Sequence, residues 1–292
     1  MSRVLDDLLE LLKLEPIEEN LFRGQSQDLG FRQLFGGQVL GQALSAASQT
    51  VEPARHVHSL HGYFLRPGDA GLPVVYTVDR VRDGGSFTTR RVVAIQKGQP
   101  IFTMMASFQG DEPGFEHQVK MPEVPPPESL PSDIELLRRK AHLIPEQVRD
   151  KFLGDKPIEI RPVTVVDPFD PQVCEPLKYV WFRANGVMPE DPQVHRYMLA
   201  YASDFNLITT VLQPHGANYL NRDIQMASLD HALWFHANLR MNDWLLYAMD
   251  SPWAGNARGL ARGNIFTRDG RLVASVTQEG LIRVVQKDRG GR

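Results

Sequence analysis

Cysteine is almost absent: the 292 residues hold one, Cys174. That excludes an intrachain disulfide framework and a cysteine-based zinc site, and it fits a reducing compartment. Cys174 lies in "DPFDPQVCEPL" with no convincing histidine neighbourhood, so it reads as an inert thiol rather than a nucleophile. No apolar run approaches the roughly 18 residues of a spanning helix. The opening "MSRVLDDLLELLKLEPIEEN" lacks the basic start and apolar core of a signal peptide, and "KDRGGR" is not a retention or peroxisomal address. The expected location is therefore the cytoplasm. An excess of either charge is lacking too. The net charge is -3 with no block of Lys and Arg, which argues against a nucleic-acid partner.

Familiar catalytic signatures are also missing. "GQSQD" and "GGSFT" both fail the G-x-S-x-G elbow, so a covalent serine hydrolase is not expected. "GGQVLGQAL" has neither G-x-G-x-x-G nor the GK[ST] ending of a phosphate loop. In "HVHSLH", His56 and His58 share one face of a strand while His61 points away, which favours hydrogen-bonded histidines over a metal site. No metal is expected.

What is present is globular and patterned. The length suits two domains of ordinary size. Leu5, Leu8, Leu9, Leu12 and Leu14 mark a short amphipathic opening helix. In "LFRGQSQDLGFRQLFGGQVLGQALSAASQTV" the second half is helical, with Gly37 and Gly41 one turn apart. Glycine costs a helix about 1 kcal/mol against alanine, so these two imply close approach to a sheet. Strands follow in "HVHSLHGYFL", "PVVYTVDRVRD", "SFTTRRVVAIQ" and "PIFTMMASFQ", divided by the turns "RDGGS" and "QKGQP". A helix wrapped by such an antiparallel meander is the hotdog arrangement. A Pro-rich acidic connection with a helical piece comes next, and then the pattern restarts. The expected fold is α+β, as two tandem hotdog repeats: 1-112, a linker at 113-157, and 158-292.

The repeat can be counted. Ser59 and Ser228 lie 169 apart, as do Gln109 and Gln278. The pairs Ala106-Ser107 and Ala274-Ser275 need 168. At the same 169 offset Phe35 faces Asp204, both read as helix starts. An acid inside the apolar "YASDFNLITTVL" costs helix propensity and desolvation. Each of Asp204, Ser228 and Gln278 alone reads as structural. Together they form a polar set that the repeat carries to one helix and two strands. The first half keeps Ser59 and Gln109 but has Phe35 in place of the acid, as a degenerate copy would. A carboxylate orients or deprotonates water, and Ser and Gln fix that water by hydrogen bonds. Asp230 and His231 look like a catalytic pair, but neighbours on a strand point to opposite faces, so they read as structural.

Two blocks, "LFRGQSQDLGFRQLFGGQVLGQAL" and "ASLDHALWFH…DWLLYAMDSP…ARG…IFTRDGRLVASVTQEGLIR", closely resemble the acyl-CoA thioesterase II family of TesB type; "PIEIRPV" and "WFRANG" also match. The likeness runs from about Leu21 to Val285. After "WFH" the chain reads "ANLRMND" where similar sequences continue with Pro and Phe, a departure in the neighbouring loop. The resemblance implies hydrolysis of acyl-CoA thioesters to CoA and a free acid, without a cofactor. The family's aspartate falls on Asp204, its hydroxyl residue on Ser228 and its glutamine on Gln278. An acyl channel is expected along Phe205, Leu207 and Ile208, and assembly into a homodimer or homotetramer. Two rivals keep the same ligand: a hotdog enoyl-thioester hydratase or dehydratase, and a non-catalytic acyl-CoA binding module. The hydratase needs an Asp–His pair, and "SDFNLITT" offers no such histidine.

Overall fold

The computed structural model describes residues 3–285 except 31, 32, 219 and 222. The N-terminal half runs α1 (Arg3–Leu12), β1 (Glu15–Glu18), β2 (Leu21–Gly24), α2 (Gly36–Ser48), β3 (His56–Phe64), β4 (Val74–Asp83), β5 (Phe87–Gln96) and β6 (Gln99–Gln109). Two short helices, α3 (Asp133–Arg139) and α4 (Glu146–Leu153), lie in the connection. There follow β7 (Ile158–Pro162), β8 (Leu177–Ala184), α5 (Pro192–Ser203), β9 (Ile224–Ser228), β10 (Asp230–Phe235), β11 (Leu245–Gly255), β12 (Arg258–Thr267) and β13 (Leu272–Val284).

The strands form a single sheet in the order β1-β2-β4-β5-β6-β3-β10-β13-β12-β11-β8-β7, with β9 beside β13. Read outward from the β3–β10 seam, the two halves repeat the same order. At the seam Leu60 faces Leu233 and Asp230 faces Tyr63, antiparallel. Alternation sets the inner face. Along β10, His231, Leu233 and Phe235 are buried between less buried neighbours. Along β13, Val276, Gln278 and Gly280 are buried the same way. The core fills the space between this face and the helices, with Leu40, Leu44, Leu60, Leu199 and Leu233 wholly buried.

Gly37 and Gly41 of α2 serve a helix crossing rather than the expected helix–sheet approach. A Cβ on Gly37 would lie 2.3 Å from the Tyr201 carbonyl oxygen of α5, and one on Gly41 would lie 3.0 Å from that of Tyr197. Backbone meets backbone there, so neither side can yield cheaply. Replacing Gly37 with Ala is expected to destabilise the fold by about 1–3 kcal/mol, the usual penalty for overpacking. Urea denaturation checks this; an unchanged midpoint would show that the helices are free to separate.

The Pro-rich connection is strapped to the outer face of the second half. Trp181 Nε1 donates to Pro125 O at 2.9 Å, and Arg268 pairs with Glu128. Met121, Val124 and Leu130 pack on Trp181, Trp244, Leu246 and Phe266. Among the described residues, no helix is long and apolar enough to cross a membrane.

Candidate active site

Asp204 is the residue that ends α5, not one that starts a helix. Asp191 caps the helix N-terminus by accepting from Gln193 N–H, with Pro192 in the first turn. Asp204 follows Ser203 with φ −80° and ψ −18°. The chain then turns sharply through Asn206 at φ 67°, a left-handed conformation that a short amide side chain tolerates. A 3₁₀ segment, Ile208–His215, continues beyond, so the helical stretch around "YASDFNLITTVL" is two pieces.

The three predicted polar residues converge. Gln278 Nε2 donates to Asp204 Oδ1 at 2.7 Å and to Ser228 Oγ at 3.0 Å. Gln278 is wholly buried and the Asp204 side chain is 7 % exposed. Glu279, next to Gln278, points outward to Arg258 at 2.9 Å, as alternation requires. Because Ser228 Oγ accepts from Gln278, its own hydroxyl proton is left to donate elsewhere. Opposite Asp204 stands the start of α2. A Cβ on Gly36 would lie 2.8 Å from Asp204 Oδ2, so only glycine lets the carboxylate sit against that helix end. The first N–H groups of a helix have no intrahelical partner and carry its positive end.

Phe35 is therefore not the counterpart of Asp204. It is the N-cap of α2, in contact with the site itself: its ring stacks on Phe205 at 4.6 Å and meets Tyr201 edge-on at 5.2 Å. Its apolar side chain and the repeat hid this role, since the count made it a lost acid. The residue that ends α2, as Asp204 ends α5, is Gln49. The Gln109–Gln278 match also fails in space. Phe108 is the buried residue near the end of β6, and Gln109 lies on the other side of the pleat. Of the expected channel residues, Phe205 stacks on Phe35, and Ile208 packs on Gly280, where a Cβ would lie 2.6 Å from its Cδ1. Leu207 is wholly buried in the core.

A histidine does stand near Asp204, contrary to the expectation from the local sequence. His231 Nδ1 is 4.0 Å from Asp204 Oδ1. It comes from β10, across the fold, and its alternating burial was the signal that could have found it. Asp230 faces the other way and accepts from Glu279 N–H at 2.7 Å, so the adjacent pair is not a catalytic couple. Ser203 Oγ donates to Ala200 O and lies 2.9 Å from His231 Nε2. With the hydroxyl proton committed, Nε2 carries the imidazole proton and Nδ1 is a bare acceptor. Burial pushes the His231 pKa down to about 4, against the pull of Asp204. A wholly buried neutral ring with its N–H tied to Ser203 cannot meet a substrate as an acid. Tyr247 Oη steadies the same turn by donating to Ser203 O at 2.9 Å.

Two helices wrapped by one antiparallel sheet, whose two halves mirror each other, define the class: a double-hotdog protein. A structure from Alicyclobacillus acidocaldarius described as having a hot dog fold, 19 % identical, superposes with a TM-score of 0.77 over 96 % of this chain and 99 % of that one, which shows the fold alone. Residues 25–109 match the acyl-CoA thioesterase N-terminal domain family, and residues 147–281 the acyl-CoA thioesterase family. Acyl-CoA thioesterase 2 of Haemophilus influenzae is 45 % identical over 97 % of this chain and 99 % of its own length. The acyl-CoA thioesterase II TesB2 structure from Mycobacterium marinum is 43 % identical, with a TM-score of 0.78 over 95 % of this chain and 98 % of that one. The chain belongs to the acyl-CoA thioesterase family.

Proposed function

We propose that the chain hydrolyses acyl-CoA to CoA and a carboxylic acid by direct attack of one water held at Asp204, Ser228 and Gln278. The convergence of Gln278 Nε2 on both Asp204 Oδ1 and Ser228 Oγ carries this reading. Asp204 takes the water proton, while Ser228 and Gln278 fix the oxygen toward the thioester carbon. The N–H groups that open α2 at Gly36 and Gly37 receive the developing oxyanion; one such donor is worth about 3 kcal/mol. The thiolate of CoA then leaves. A thioester has weak carbonyl resonance and a good leaving group, so no covalent acyl-enzyme is needed. The acyl chain runs past Phe35, Phe205 and Ile208, with Leu207 behind them. The division into 1-112, 113-157 and 158-292, a cytoplasmic setting and further assembly into homodimers or homotetramers belong to the same proposal. Their support is the mirrored strand order, the lone Cys174 and the pairing habit of the fold.

Single-turnover hydrolysis in ¹⁸O-water tests the step. Direct attack places the label in the released acid. Label in the Asp204 carboxylate instead would mean an acyl-enzyme anhydride and overturn the proposal. Release of thiol from an acyl-CoA, followed with a thiol-reactive dye, separates hydrolysis from enoyl hydration or mere binding. Gln278→Leu, similar in size but without the amide donor, is expected to lower turnover by roughly tenfold to a hundredfold, since the pair of bonds orienting Asp204 and Ser228 is lost.

A further inference from the structure

The mirrored sheet brings a second set of residues together at the other end of the seam. At the candidate active site, Ser228 of β9 pairs with Gly280 of β13, and Phe64 at the end of β3 donates its N–H to Leu229 O. Gly36 opens α2 there and Asp204 ends α5. The corresponding neighbourhood has His56 of β3 paired with Gln109 of β6, and Phe235 at the end of β10. Gln49 ends α2 there, and Gln193 lies in the first turn of α5, 3.3 Å from His56 Nδ1. At this end lies a cavity of about 330 Å³, lined among others by His56, His58, Arg196, His236 and Asn238.

Where the active site buries a carboxylate, this cavity buries a guanidinium. The residue ending the helix is neutral Gln49, and a guanidinium has been added. Arg196 is 5 % exposed, yet no carboxylate among the described residues comes within 4.0 Å of it. It donates to Pro192 O at 3.2 Å and Asn238 Oδ1 at 2.6 Å, both neutral acceptors, and its Nε has no partner. Asp111 and Glu112 also line the cavity but are exposed and make no ion pair with Arg196 within 4.0 Å, although Asp111 pulls on the guanidinium through space. A buried guanidinium whose hydrogen bonds all go to neutral acceptors is costly, and an anion in the cavity would complete it. Each histidine has one ring nitrogen committed, to Gln193, Ser107 or Ser275, and one left. Burial lowers all three histidine pKa values, so at neutral pH they act as neutral hydrogen-bonding groups.

We infer that this cavity is an oxyanion-binding site, taking a carboxylate or a phosphate group on Arg196 with His56 beside it. The shared chemistry has two sources in this reaction, the released acid and the phosphates of CoA. The site needs neither Asp204 nor Gln278, so it stands or falls apart from the catalytic proposal.

Isothermal titration of the full chain with inorganic phosphate and, separately, with butyrate, at ionic strength held constant with chloride, is the test. Saturable binding is expected for at least one of the two. Phosphate alone points to CoA, butyrate alone to the acid product, and both to an unselective oxyanion site. Asp204→Asn retains the binding. Arg196→Gln weakens it by roughly tenfold or more, the loss of a charge-assisted bond. Should Arg196→Gln not fold, Asn238→Asp decides. That exposed position would set a carboxylate on Nη2 as an internal counter-ion and weaken anion binding similarly. No saturable heat with either anion, or binding unaltered in the variants that fold, would overturn the inference.

Discussion

Asp204→Asn should lower acyl-CoA turnover by about 10²–10⁴-fold, the usual contribution of a positioned general base. Asparagine keeps the size of the side chain and an oxygen that can still accept from Gln278 Nε2, a bond now 2.7 Å long. The turn after α5 and the stack of Phe205 on Phe35 do not depend on the charge. What disappears is the capacity to take a proton from water. Thiol release on the same acyl-CoA for both proteins measures the ratio, and a thermal melt shows that the variant is folded. A folded variant within a few fold of wild type would mean that water is activated elsewhere.

Acidification should cost stability through His231. Its pKa is about 4 in the fold and 6.5 when free, because burial disfavours the imidazolium. Above pH 6.5 the ring is neutral folded or unfolded, and its contribution is fully present. Between about 6.5 and 4 the unfolded chain takes up a proton that the fold refuses, so stability falls with pH by about 3 kcal/mol. Below about 4 both states are protonated and the loss levels off. Asp133 works in the opposite sense over part of this window. Burial raises its pKa to about 6, so the fold holds a proton there that the unfolded chain gives up. The useful quantity is thus the difference between wild type and His231→Gln in urea melts from pH 7 to 4. The wild type should lose about 3 kcal/mol relative to the variant. Parallel slopes would show that the ring is not held neutral by the core.

Much of the architecture could be read from the letters because alternation and glycine-containing turns are local signals. The meander from β3 to β6 falls on the segments expected for it, and the pattern restarts in the second half as β10 to β13. β1 escaped notice because its four residues are all exposed and carry no alternation. The polar trio was found as a set, but the arithmetic that linked it to the first half was misleading. A constant offset of 169 assumes equal connections in both halves. The C-terminal ends of the helices, Gln49 and Asp204, lie 155 apart, because the Ile208–His215 segment lengthens the path from α5 to β9. Bulges such as that between Val57 and Ser59 shift the strands as well. An odd error in register turns a side chain to the other face of the sheet, which is why Gln109 is no partner to Gln278. The nearness of His231 to Asp204 is a contact between distant strands and helices, and no short window contains it.

Phe35 and Gly36 belong to one half of the chain, while Asp204, Ser228 and Gln278 belong to the other. Were the halves separate polypeptides, dilution would empty the site by letting them drift apart. Tethered in one chain, they meet at an effective concentration that no dilution alters, so the residues of the candidate site are brought together within a single chain. Fusion also lifts a constraint on inheritance. In a pair of identical subunits any substitution appears at both ends, whereas here an acid can be kept at one end and dropped from the other.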